Sequence, residues 1–154
     1  MISALTVRET RKHRSLLSLE RAVVMFSRVA LALAFLSGIA SRFGWYGRDV
    51  GYGNFQNFVK YTAEVNSFMP VSTIPFLAWA ATAAELGLGI ALLAGIWPKW
   101  IALATAALLM LFGTAMAISF GIKSPLDYSV FSAMAAALLL AVYEAHREEE
   151  IPNA

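Results

Sequence analysis

The sequence contains no cysteine and few charged residues, and both shortages restrict what the chain can be. Without cysteine the chain has no disulfides, no thiol redox cycling and no thiolate metal sites. Only 14% of its residues are charged, against about 25% in ordinary soluble proteins. So few charges cannot cover the surface of a soluble protein of this size. The apolar residues, 59% of the chain, must therefore face lipid or a partner.

Histidine is also scarce, and His13 and His146 both lie outside the long apolar runs. Membrane haem usually needs buried axial ligands such as histidine, so no haem site is expected in these runs. No carboxylate or histidine cluster has metal-ligand spacing, and no phosphate-binding loop or dinucleotide fingerprint occurs. The sequence therefore predicts no metal site, no encoded cofactor and no nucleic-acid partner. Catalysis by this chain alone is not expected.

Four apolar runs of about 20 residues, the length of a membrane-spanning helix, follow one another along the chain. They cover residues 22–41, 73–97, 100–122 and 124–143. The first is longer than a signal-peptide core and contains an arginine, which favours a retained helix over a cleaved signal. In the fourth run, Ser124 is predicted to cap the helix and Asp127 to close a capping box around Pro125. The predicted fold is all-α, a membrane-embedded antiparallel four-helix bundle.

Small residues recur at four-residue spacing in every run, and such stripes permit close helix packing in lipid. The stripes are Ala30, Ala34 and Gly38; Ala83, Gly87, Ala91 and Gly95; Gly113, Ala117 and Gly121; and Ser129, Ala133, Ala137 and Ala141. We expect them to form packing seams, although alanine-rich helices also produce this pattern by chance.

Basic residues predict the orientation of the bundle, because cytoplasmic segments of membrane proteins are enriched in lysine and arginine. With the N-terminus inside, the cytoplasmic segments hold Arg8, Arg11, Lys12, Arg14, Arg21, Lys99 and Arg147, and the outer segments hold Arg42, Arg48, Lys60 and Lys123. Both termini are therefore predicted to be cytoplasmic. Residues 1–21 would form a basic arm and residues 144–154 a solvated tail.

The outer connection, residues 42–72, contains apolar residues near helical spacing, including Phe55, Phe58 and Val65. This spacing predicts a short extracytoplasmic amphipathic helix in the membrane interface, capping the bundle. The alternative is a loop with scattered aromatic residues. Four glycines between Gly44 and Gly53 predict a flexible entry to this segment.

Two charges inside the apolar runs, Arg28 and Glu85, mark the candidate site. A charge in a membrane span costs at least about 2.5–3.5 kcal/mol, so it persists only with a partner or water. Their depths from the cytoplasmic face, about 9 Å and about 18 Å, leave a gap that helix tilt, the arginine side chain or a water must close. The pair is predicted to line a polar pocket, with Thr82, Asp127 and Tyr128 as supporting polar groups. A structural ion pair, or an Arg28 that snorkels to the headgroups, is the alternative.

The order of these features resembles the DoxX family of small bacterial membrane proteins. The resemblance is carried by Phe58–Ala63, by residues 77–95 with Glu85 and Gly89, and by the Pro98–Lys99 turn into the third run. Arg28 followed by Ser37–Gly38, and Asp127 at the opening of the fourth run, extend it over about residues 22–143. The resemblance implies a four-helix bundle in the bacterial inner membrane.

The resemblance also implies a role, because some members are linked to quinone-coupled sulfur oxidation and others to complexes that handle oxidative stress. The leading hypothesis is a membrane subunit of such an oxidoreductase assembly, with a quinone or lipid bound in the pocket. One alternative is a non-catalytic anchor or assembly factor for a soluble partner, and a weaker one is a small-molecule permease. The expected partners are the lipid bilayer and either another protein or further copies of this chain.

Overall fold

The computed structural model describes the backbone of residues 2–150 and the side chains of residues 18–149. Within these limits the chain is helical and contains no strand. The α-helices are α1 (Ile2–Arg42), α2 (Phe55–Val65), α3 (Ile74–Ala94), α4 (Pro98–Phe120), α5 (Lys123–Asp127) and α6 (Val130–Glu150). One turn of 3-10 helix, Val71–Thr73, leads into α3.

Four helical segments of the described chain are long and apolar enough to cross a membrane: Ser18–Arg42, Val71–Ala94, Pro98–Phe120 and Val130–Glu149. The prediction of an all-helical protein with four spans is thus confirmed. The first span does not begin as a new helix near residue 22, since α1 runs without interruption from Ile2. Of the predicted basic arm, residues 1–21, the side chains of residues 1–17 lie outside the described residues.

The fourth span begins later than the capping pattern at Ser124 predicts. Residues 123–127 form the separate helix α5, whose Asp127 pairs with the Lys123 ammonium instead of closing a capping box. Ser129 then adopts a left-handed backbone conformation with φ of 54°. An α-helix cannot continue through such a residue, so the spanning helix α6 starts at Val130 and extends to Glu150.

The bundle is built from two closely packed helix pairs, α1 with α3 and α4 with α6. Its core is formed by small and aliphatic side chains from all four spanning helices: Leu31, Ala32, Phe35, Leu92, Ala102, Ala106, Leu109, Ala137, Leu140 and Ala141.

The small-residue stripes form seams in only one of the two pairs. In α4 and α6, Gly113, Ala137 and Ala141 are buried as expected. In contrast, Ala34 and Gly87 of α1 and α3 are exposed, along with the residues one turn before each of them. These parts of the stripes in α1 and α3 face outward, so the expectation of seams along their length is wrong there, although Gly38 and Gly95 lie next to side chains of the partner helix.

The short helix predicted between the first two spans is α2. Asn54 caps it by accepting a hydrogen bond from the backbone of Asn57 at 2.9 Å, and its apolar face buries Phe58 and Val65 against the bundle. The turns before it are closely packed rather than loose. A Cβ on Gly53, for example, would lie 2.0 Å from the carbonyl oxygen of Arg48.

We call the end of the bundle that α2 covers the capped end. It contains the C-terminus of α1 and the N-terminus of α3. The opposite end, which contains the N-terminal part of α1 and the C-terminal part of α6, is called the terminal end.

Candidate functional site

Glu85 lies on the face of α3 that packs against α1, and only 3% of the residue is exposed. Its carboxylate oxygen Oε1 accepts a hydrogen bond from Nη2 of Arg42 at 2.6 Å. Arg42 is the last residue of α1 and is only 5% exposed. The two residues form an ion pair that is almost completely removed from solvent and lipid.

Two further contacts hold the Arg42 guanidinium in place. Its Nη1 donates to the Thr82 hydroxyl at 2.9 Å, and that hydroxyl donates in turn to the Ala78 carbonyl at 2.8 Å. The guanidinium carbon lies 3.8 Å from the centre of the Phe58 ring, a stabilising cation–π arrangement. The pair is therefore built from α1, α2 and α3 together, and α2 closes the site from the capped end.

The sequence predicted that Arg28 pairs with Glu85, but in the structure each of the two residues has a different partner. Arg28 donates from Nε to the carbonyl oxygen of Leu92 at 3.1 Å, near the C-terminus of α3. Unpaired carbonyl groups and the helix dipole make this end of a helix favourable for a cation. Arg28 thus caps α3 at the terminal end. Nothing has to bridge the difference in depth between Arg28 and Glu85, because Arg42 is the residue that pairs with Glu85.

The sequence did not identify Arg42 as a site residue. The apolar run ends at Ser41, so the arginine that follows it was assigned to the outer loop. The signal that could have found it is helical spacing. Arg42 follows Arg28 by fourteen residues, almost four complete turns, so both side chains leave α1 on nearly the same face. That face meets α3 at Leu92 and at Glu85.

Gly38 of α1 lies next to the ion pair. A Cβ at this position would lie 3.4 Å from Oε2 of Glu85 and 3.9 Å from Nη2 of Arg42. Gly38 is itself partly exposed, whereas Arg42 and Glu85 are buried. The ion pair is therefore covered on this side of α1 by a residue without a side chain.

Aromatic side chains cover the site at the capped end. The Tyr52 ring lies 5.1 Å from the Phe58 ring and 5.3 Å from the Tyr61 ring. Burial raises the pKa of the Tyr52 phenol, and the neighbouring Tyr61 raises it further. Burial also raises the pKa of Tyr61, with a smaller contribution from Tyr128. Burial and the neighbouring phenols thus favour the neutral form of both side chains.

The other predicted supporting residues take different positions. Thr82 belongs to the site through its hydrogen bond with Arg42. Asp127 lies on α5, where it is exposed and pairs with Lys123. Tyr128 is 74% exposed. It interacts electrostatically with Tyr61 of α2 and with Tyr52 in the preceding turn, and it forms no hydrogen bond with the ion pair.

A second buried carboxylate, absent from the sequence predictions, lies at the terminal end. Glu144 of α6 is 2% exposed; its Oε2 lies 3.4 Å from Nη1 of Arg147, and Oε1 has no hydrogen-bond partner. The hydroxyl of Thr105 on α4 is likewise buried without a partner. Within the described residues, no group of histidine and carboxylate side chains could hold a metal ion.

The four spanning helices and the buried ion pair between two of them define a multi-pass helical membrane protein in contact with the bilayer. The sequence model of the DoxX family matches residues 23–119, well over half of the chain. The protein belongs to the DoxX family, which confirms the resemblance found in the sequence. No curated protein and no solved structure matches the chain.

Proposed function

We propose that this DoxX-family protein is a membrane subunit of a quinone- or redox-stress-linked oxidoreductase assembly, and that the Arg42–Glu85 pair binds the polar head of a lipophilic molecule. The bilayer would be the bacterial inner membrane, with both termini in the cytoplasm as the basic residues indicate. A quinone is the ligand we favour, and a lipid is the alternative.

The observation that carries this proposal is the position of the ion pair next to Gly38. A buried ion pair alone needs no ligand, because it can serve only to fix two helices in register. Here, however, Oε2 of Glu85 and Nη2 of Arg42 lie next to Gly38, which has no side chain and is partly exposed. In this proposal a molecule dissolved in the bilayer approaches the pair at this glycine without crossing the aqueous phase.

The proposal is tested on protein purified in mild detergent from its native membrane. Organic extracts are assayed for quinones and lipids by chromatography, and co-purifying subunits are identified by mass spectrometry. We expect a quinone bound near one equivalent together with a redox subunit. A stoichiometric partner without any bound lipophilic molecule would instead support the anchor function, and recovery of neither would contradict the proposal.

Variants at Gly38 connect binding to the site. Gly38→Leu places a side chain against the ion pair and is expected to remove most of the bound quinone. Ala34→Leu is the matched control, since it adds the same side chain one turn away at an exposed position of α1. Equal quinone content in the two variants would place the ligand elsewhere.

A further inference from the structure

A groove of about 500 Å³ lies between α3 and α4 and opens on the outside of the bundle. Five of the residues that line it are small, namely Ala83, Ala84, Gly87, Ala104 and Ala107, and the others are leucines. Small residues on neighbouring helices allow two backbones to pack closely in lipid. Here α3 packs mainly on α1 and α4 mainly on α6, so the small residues line an apolar groove instead. We call it the α3–α4 groove.

The α3–α4 groove lies mainly in one half of the membrane. Along α4, Ala104 is about 9 Å and Leu111 about 20 Å from Pro98, which begins the helix at the terminal end. The hydrocarbon core is about 30 Å thick. The groove therefore begins in the leaflet at the terminal end and reaches slightly past the middle of the bilayer. An acyl chain of a lipid in that leaflet occupies the same depth.

Two polar side chains lie where the groove approaches the terminal end. Trp100 precedes Ala104 by one turn and Ala107 by two, so the three share one face of α4, and Trp100 is 62% exposed. The Lys99 ammonium lies 5.2 Å from the centre of the Trp100 ring and 3.2 Å from Oε2 of Glu148. An ammonium group has three donors, and the Glu148 contact uses one. A cation and an indole therefore stand at headgroup level at the end of an apolar groove.

We infer that the α3–α4 groove binds one phospholipid, with an acyl chain in the groove and the headgroup phosphate on the Lys99 ammonium. Lysine binds phosphate as a point charge. A molecule with a long apolar part and an anionic group at one end matches both the lining and the end of the groove. A helix of a second copy could fill the same groove, but it would make no use of the cation there. The inference is independent of the proposed function, since no residue that lines the groove belongs to the Arg42–Glu85 site.

The test uses the full-length protein, delipidated in mild detergent. It is titrated with dioleoylphosphatidylglycerol or with dioleoylglycerol, which has the same acyl chains and no phosphate. Native mass spectrometry counts the lipids bound to each protein. We expect one phospholipid to bind before any other, at least about tenfold more tightly than dioleoylglycerol, because the latter makes no hydrogen bond to the charged Lys99. Equal affinities for the two lipids would overturn the inference.

A matched pair of variants tests the groove. Ala107→Phe places a ring in the groove and is expected to weaken phospholipid binding at least about tenfold, the effect of displacing about two buried methylene groups. Ala135→Phe is the control, since it makes the same change at an exposed position of α6 outside the groove. Both alanines are exposed, so neither ring has to enter the packed core. Equal phospholipid binding by the two variants would contradict the inference. A wild type that dimerises without bound phospholipid, and an Ala107→Phe variant that is monomeric, would assign the groove to a second copy.

A second pair tests the headgroup contact. Lys99→Gln is expected to weaken binding of dioleoylphosphatidylglycerol at least about tenfold and to leave binding of dioleoylglycerol unchanged. Lys123→Gln is the control, because it removes the same charge from another lysine that pairs with a carboxylate, at the capped end. Wild-type affinity in Lys99→Gln, or an equal loss in both variants, would show that the phosphate is not held at Lys99 and would overturn the inference.

Discussion

At the scale of single residues, Arg42 and Glu85 stabilise each other at a depth where neither could remain alone. Their 2.6 Å contact is supplemented by the Thr82 hydroxyl and the Phe58 ring. Removing one member of a buried ion pair typically costs about 3–5 kcal/mol, because the other charge is left without compensation. Replacing both by apolar residues of similar volume is far less damaging.

A double-mutant cycle tests this coupling. Arg42→Met and Glu85→Leu alone are each expected to lower the free energy of unfolding by about 3–5 kcal/mol, and the two changes together by considerably less. The measurement is reversible unfolding in mixed detergent micelles. If the double variant lost as much stability as the two single variants together, the pair would not be coupled as the structure shows.

Tyr52 predicts a dependence of stability on alkaline pH. Burial raises the pKa of its phenol above the ordinary value in the folded protein. Below about pH 10 the phenol is protonated in both states, so it adds no pH dependence. Above that pH the unfolded state loses its proton first, and stability falls as pH rises.

The test measures the free energy of unfolding of the wild type and of Tyr52→Phe from about pH 8 to about pH 11. The variant should lose less stability over the upper part of this range, and its phenolate absorbance should lack one late-titrating group. Identical pH profiles for the two proteins would argue against a buried Tyr52.

At the scale of helices, the pairing of α1 with α3 is defined at three levels. Arg28 bonds to Leu92 near the terminal end, Gly89 meets α1 in the middle, and Arg42 bonds to Glu85 at the capped end. These contacts describe one antiparallel register. A slip of either helix would break all three.

Gly89 gives a test of this register with a control in the same helix. A Cβ there would lie 3.2 Å from the Leu36 side chain, whereas a Cβ on Gly87 would meet nothing within 4 Å. Gly89→Val is therefore expected to destabilise the protein by about 1–3 kcal/mol through overpacking. Gly87→Val carries the same change in helix propensity without the clash, and equal stability of the two variants would contradict the packing described.

How much of the fold and of the candidate site could be predicted depends on which contacts are local in the sequence. Apolar run length predicts the spanning helices, since one bilayer thickness sets their length. The start of α6 was missed because a left-handed backbone at Ser129, which the sequence pattern does not specify, separates α6 from the short helix α5. Glu85 was identified by its charge, and spacing within α1 places Arg42 on the same face as Arg28. Which of the two arginines reaches Glu85 depends on the α1–α3 register and on α2 covering Arg42, and spacing within one helix does not contain that information.

At the scale of the whole molecule, four spans place both ends of the chain on the same side of the bilayer. Because the chain contains no cysteine, a single introduced cysteine is a unique label. We expect Asp49→Cys to react with a membrane-impermeant maleimide in intact cells. Glu149→Cys should react only after permeabilisation, since both side chains are exposed and lie at opposite ends of the bundle. The reverse pattern would invert the proposed orientation.

The unbroken helix α1 also has a mechanical consequence. Its 41 residues extend about 60 Å, whereas the hydrocarbon core is only about 30 Å thick. One end carries Arg42 in the buried ion pair, and the other lies beyond the membrane at the terminal end. A stiff rod moves as a unit, so a tilt of about 5° at the Arg42 end displaces the far end by about 5 Å. A protein that bound the end of α1 outside the membrane would therefore be coupled to the ion pair without contacting it.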